Sequence, residues 1–125
     1  MSESGLRLKI AIRVMSGNEI AMGPGKADLL DAIDATGSIS AAGRAMDMSY
    51  RRAWLLVDAM NRCWASPLVE TMPNGAARSG ARLSAAGRKV LDAYRALQKG
   101  AAMVESGAEW QTLKAQLLPI PREHQ

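Results

Sequence analysis

The sequence predicts a mainly helical fold with a little β structure. Three observations carry this. The apolar residues make up 48% of 125 and are mostly Ala, Leu, Ile, Val and Met, with no Phe, a mix that favours helix over sheet. A period-two stretch occupies residues 6–14. Three serines, Ser38, Ser49 and Ser84, each stand just before a segment with helical apolar spacing.

The elements follow in order. "LRLKIAIRV" puts Leu6, Leu8, Ile10, Ile12 and Val14 on one side and Arg7, Lys9 and Arg13 on the other, the alternation of a half-buried strand. "SGN" is a turn, and "EIAM" can return as a second strand, making an N-terminal hairpin. "GPG" at 23–25 stops the sheet. Residues 26–37 then read as a helix, with Leu29, Leu30 and Ile33 inside, Asp28, Asp31 and Asp34 outside, and Gly37 placed to end it.

Ser38 caps a short helix over 39–46, and Ser49 caps the next, over about 50–63. In the second, Ala53, Val57 and Met60 face inward with Trp54 at the edge. Trp54, Trp64 and Trp110 are expected in the core or an interface, because their neighbours are apolar. "SPLVETM" and "ARLS" are candidate strands, joined by the turn-rich loop "PNGAARSG".

Ser84 caps a long helical region over about 85–118. Val90, Tyr94, Leu97, Ala101, Val104 and Ala108 recur at a 4-3-4-3-4 spacing there, the narrow seam used in helix pairing. Beyond Gly107 the phase shifts to Trp110, Leu113 and Leu117, so a bend or break is expected nearby. Pro119 and Pro121 leave residues 119–125 as a tail.

Two closely joined helices followed by a basic hairpin make a winged helix-turn-helix, here a single domain over 1–118, with the helix-turn-helix at about 39–63 and the wing at about 68–83. The turn between the helices needs a left-handed residue, which Asp tolerates, and Asp47 sits there. Ala42, Gly43 and Ala45 are small enough for close approach of the two helices.

The charge distribution fits a polyanion-binding face and equally a solvated basic surface with no partner. Residues 44–99 hold 10 Lys and Arg against 4 Asp and Glu, a net of +6, inside a chain of net +4. Ser49, Tyr50, Arg51 and Arg52 form the leading edge of the second helix, where Arg can bond guanine bidentately and Ser and Tyr can bond phosphate. The free N–H groups at that helix start favour a phosphate as well. Arg78 and Arg82 lie on the wing, and Arg44 is placed to reach a phosphate from the first helix. Arg88 and Lys89 are weaker candidates.

Catalysis is not expected. The only histidine, His124, is in the tail, and Cys63 has no histidine partner. No Cys/His cluster has metal-ligand spacing. One cysteine and no signal-type or membrane-spanning apolar run point to a cytoplasmic protein.

"GSISAAGRAMDMSYRRAWLLVDAMN", residues 37–61, closely resembles the DNA-binding domain of the ModE family of molybdate-responsive transcription regulators. The resemblance continues through "LVETMPNGAARSGARLSAAGRKVLDAYRAL", residues 68–97, where Leu83, Ser84 and Gly87 match the family's entry into its long helix. LysR-type regulators are more distantly similar. The resemblance implies a winged helix-turn-helix, a homodimer, and an inverted-repeat promoter site in double-stranded DNA. Contact between copies is expected along the long helical region, at Val90, Tyr94, Leu97, Val104, Trp110, Leu113 and Leu117, with a contribution from the N-terminal strands. In the family, molybdate sits in C-terminal β-barrel domains. None is expected here, so neither cofactor nor bound molybdate is expected within this chain. Asp47 stands where the family usually has Gly, and Gly43 where it has Ala. Two other readings compete: a winged helix that docks a protein partner, and an architectural DNA binder without sequence preference.

Overall fold

The computed structural model describes residues 5–72 and 80–125. The chain is mostly helical, with two small antiparallel strand pairs.

The first pair is β1 (Val14–Ser16) with β2 (Glu19–Met22), turning at Gly17. The strand expected over residues 6–14 is thus far shorter. Pairing stops at Val14↔Met22, because Gly23 and Pro24 take the partner chain away into α1 (Pro24–Thr36). Residues 6–13 run on outside any strand among the described residues. Leu8, Ile10 and Ile12 border a crevice against Gln98, Ala101 and Ala102. The Tyr94 hydroxyl donates to the Ile12 carbonyl at 2.8 Å.

The helix ends follow the local rules. Pro24 opens α1, and Gly37, at φ 73°, closes it by donating its N–H to the Ile33 carbonyl. Ser38 accepts from the Ala41 N–H at the start of α2 (Ile39–Ala45). Ser49 accepts from the Arg52 N–H at the start of α3 (Tyr50–Cys63). Ser84 accepts from the Gly87 N–H at the start of α4 (Ala85–Ala102).

The second strand pair is β3 (Val69–Met72) with β4 (Gly80–Leu83). Its far end is tied to the α1–α2 junction, where the Ala81 N–H donates to the Gly37 carbonyl at 2.9 Å. The connecting residues 73–79, and with them the expected contact residue Arg78, lie outside the described residues.

Beyond α4 the expected break falls at a 3-10 turn, Met103–Ser106, before α5 (Ala108–Gln116). The core joins Met22, Leu29, Leu30, Ile33, Val57, Met60, Leu68 and Leu91, one face from each helix of α1, α3 and α4. The seam read from the sequence needs revision at two positions. Tyr94 is 2% exposed and Trp110 8%, so both are buried within the protomer. Leu97, Val104, Leu113 and Leu117 stay on the surface, and Val90 is half-buried.

Candidate nucleic-acid interface

Helices α2 and α3 meet through a turn of four residues. Asp47 takes a left-handed backbone, φ 57°, the sole positive φ among described non-glycine residues. A short polar side chain tolerates this region better than most. The turn is closed by the Met46 and Met48 N–H groups, which both donate to the Gly43 carbonyl, at 3.0 and 2.9 Å. A Cβ on Gly43 would stand 3.1 Å from Ala53 Cβ, so glycine lets α2 approach α3 unusually closely.

That turn sets the direction of α3. Ser49 satisfies the Arg52 N–H, while the N–H groups of Tyr50 and Arg51 have no partner among the described residues. Such unpaired donors carry the positive end of the helix dipole. Ser49, Tyr50, Arg51 and Arg52 are all exposed, as is Arg44 on α2. Trp54 is 37% exposed, at the edge of the face that Ala53 turns inward. Its ring meets Tyr50 edge-on, with centroids 6.3 Å apart, and its Nε1–H donates to the Tyr50 hydroxyl.

Ion pairing sorts the arginines. Arg88 bonds Asp34 at 2.6 Å, and Arg95 bonds Asp28 at 2.9 Å and also reaches Asp31. The acidic row of α1 therefore clamps α4. Hydrogen bonding to Asp34 and to Asp28 raises the Arg88 and Arg95 pKa values above the usual guanidinium range. Arg62 bonds Asp58 and Glu19. Arg82 pairs with Glu70, its register partner on β3, at 3.1 Å. Arg44 donates to the Ser40 hydroxyl. Arg44, Arg51 and Arg52 form no ion pair among the described residues, and against them the turn sets one carboxylate, Asp47, so net positive charge remains on α2 and the start of α3.

Three elements converge beside this charge. Ser38 and Ser40 of the α2 start, Tyr50 and Trp54 of α3, and Thr71 with Gly80 of the strand pair line a notch of about 180 Å³. Ser40 and Thr71 were not expected at the site. No spacing signals them, since tertiary packing brings them there. Asn61 was also missed as a structural residue. Its Oδ1 accepts from the Leu68 and Val69 N–H groups and its Nδ2 donates to the Val69 carbonyl, which fixes β3 against the end of α3. Among the described residues no group of three or more His, Cys, Asp or Glu is placed to hold a metal ion, and no helix is long and apolar enough to cross a membrane.

No protein-family profile matches the chain. Individual proteins do. The molybdenum-pterin-binding protein MopB of Rhodobacter capsulatus is 47% identical over 88 residues, 70% of this chain and 33% of its own length. The molybdenum transport protein ModE of Azotobacter vinelandii is 39% identical over 70 residues, 56% of this chain and 26% of its own. The transcriptional regulator ModE of Yersinia pestis is 33% identical over 97 residues, 78% of this chain and 35% of its own. Much of this chain is homologous to ModE and Mop proteins. It spans only a quarter to a third of the length of these relatives. One is named for transcriptional regulation and the others for molybdenum binding or transport.

Proposed function

We propose that the chain is a ModE-like winged helix-turn-helix that binds double-stranded DNA in a sequence-specific way and regulates transcription. The observation that carries this reading is the start of α3. It follows a tight left-handed turn, is capped by Ser49, and presents Tyr50, Arg51 and Arg52 to solvent without ion pairs. In the proposed mechanism two copies pair, and their α3 helices enter successive major grooves about 34 Å apart on an inverted repeat. The unpaired N–H groups at the α3 start, with Ser49 and Arg44, hold phosphates and set the register. Tyr50, Arg51 and Arg52 meet base edges. Arg82, held by Glu70, and Arg78 act from the wing.

The test is site selection from random duplex DNA, followed by affinity against salt, with and without molybdate. A two-fold symmetric consensus with steep salt dependence is the expected outcome. Arg51→Ala and Arg52→Ala should each cost about 1–3 kcal/mol at one position of the site if they read guanine. Equal weakening on all sequences would reduce them to phosphate contacts. Binding without a consensus would leave an architectural binder. An effect of molybdate would add sensing to this chain.

A second reading, docking of a protein partner, draws on the exposure of Trp54 and Leu55 on α3. The net positive charge of the flanking unpaired arginines favours a polyanion such as DNA.

A further inference from the structure

The outward face of α3 is not uniformly polar. At 100° per residue, Arg51, Leu55, Asp58 and Arg62 form its outermost row, opposite buried Ala53, Val57 and Met60. Leu55 stands at the middle of that row and is 56% exposed. With Tyr50, Arg51, Trp54 and Asp58 it lines a shallow, mainly apolar depression. The depression is rimmed by charge: Arg51 one turn before Leu55, and Asp58, held by Arg62 at 2.9 Å, just after it. On the DNA-binding reading, Leu55 lies on the face of α3 turned toward the groove, where an apolar side chain needs an apolar partner.

Major-groove base edges carry one apolar substituent, the C5-methyl of thymine. We infer that Leu55, flanked by Trp54, reads a thymine methyl group and is a specificity-determining residue of the DNA site. The inference rests on the DNA-binding reading and deepens it. Arg51 and Leu55 are four residues apart, about 6 Å along the helix, so the thymine lies within about two base-pair steps of the base met by Arg51.

The experiment uses the full chain and a duplex carrying its selected site. Each thymine is replaced in turn by deoxyuridine, which removes the methyl and keeps every hydrogen-bonding group. The expected result is one thymine per half-site at which replacement weakens binding roughly three- to tenfold, the scale of one buried methyl contact. In Leu55→Ser, an exposed change that leaves the core intact, the same replacement should matter less than twofold, while affinity for the deoxyuridine duplex stays near that of the parent. Indifference of the parent protein to deoxyuridine at every position overturns this inference alone. So does a full penalty retained in Leu55→Ser. No binding to any duplex at low salt overturns the DNA-binding reading and this inference with it.

Discussion

A methyl group on Gly87 would stand 2.1 Å from the Leu68 carbonyl oxygen, an impossible approach to a backbone atom. That carbonyl is already fixed by the Ser84 N–H at 2.9 Å, and the Ser84 hydroxyl donates to Pro67 at 2.7 Å. The serine and glycine that open α4 thus serve two purposes, capping the helix and letting it press against the chain before β3. Gly87→Ala is expected to cost about 3 kcal/mol or more, since neither helix nor strand can yield without breaking these bonds. Gly43 is the contrast. Its missing Cβ would meet Ala53 Cβ at 3.1 Å, the Met48 carbonyl at 3.5 Å and Met48 Cγ at 3.6 Å. Gly43→Ala gains up to about 1 kcal/mol of helix propensity against that crowding, so a net change within about 1 kcal/mol is expected. Urea denaturation of the two variants tests the pair, and equal destabilisation would contradict it. Asn61→Ala removes the shared acceptor of two backbone N–H groups, on buried Leu68 and Val69. A loss of about 2–3 kcal/mol is expected on the same denaturation curve.

Each helix start carries its own signal, while each long-range contact depends on folding. Ser38, Ser49, Ser84 and Gly37 were legible because a cap acts within three or four residues. Asp47 was legible because only a left-handed residue fits a turn that tight. The N-terminal strand was overestimated because alternation reports which faces are buried, and says nothing of whether a partner strand is present. Leu8 and Ile12 are half-buried along α4 without any strand partner among the described residues. Trp54 stands at the edge of the inward face of α3, as its spacing from Ala53 implied, and is partly exposed there. Asn61, Ser40 and Thr71 have partners that only packing supplies. Tyr94 links these scales. Burial holds its pKa above the usual 10.0, and its hydroxyl ties α4 to residue 12. An unfolded tyrosine loses its proton first as pH rises past 10, so the folded state is fully favoured below that pH and progressively less so through the raised folded value. Tyr94→Phe should flatten the loss of stability above pH 10, at a cost near neutrality of about 1–2 kcal/mol from the unpaired Ile12 carbonyl. Thermal midpoints from pH 8 to 11.5 measure both effects.

On the scale of the whole molecule, the ion pairs and the apolar surface along α4 lie apart from the start of α3. The α1 carboxylates neutralise Arg88 and Arg95, whereas Arg44 on α2 and Arg51 and Arg52 on α3 have no ion pair among the described residues. Beyond the Leu55 depression on α3, a second apolar surface lies along α4. Val14, Met22, Trp64, Val90, Ala93 and Leu97 line an open groove of about 690 Å³ between the first strand pair and α4. Leu97, Val104, Leu113 and Leu117 continue the exposed apolar surface along the same helical region. In the proposed dimer this surface is where the two copies meet, so that cohesion and DNA contact occupy separate faces. Leu97 is 55% exposed and lies outside the core, so Leu97→Glu should leave the thermal midpoint of the single copy nearly unchanged. It should nonetheless bury a charge in the proposed contact. The expected outcome is a monomer in sedimentation at concentrations where the parent chain is a dimer. Affinity for a full inverted repeat should then fall on the order of a hundredfold, toward that for one half-site, because the second half-site no longer benefits from linkage. A variant that stays dimeric would move the contact away from α4. Loss of dimer together with full affinity for the repeat would show that each copy reads DNA alone.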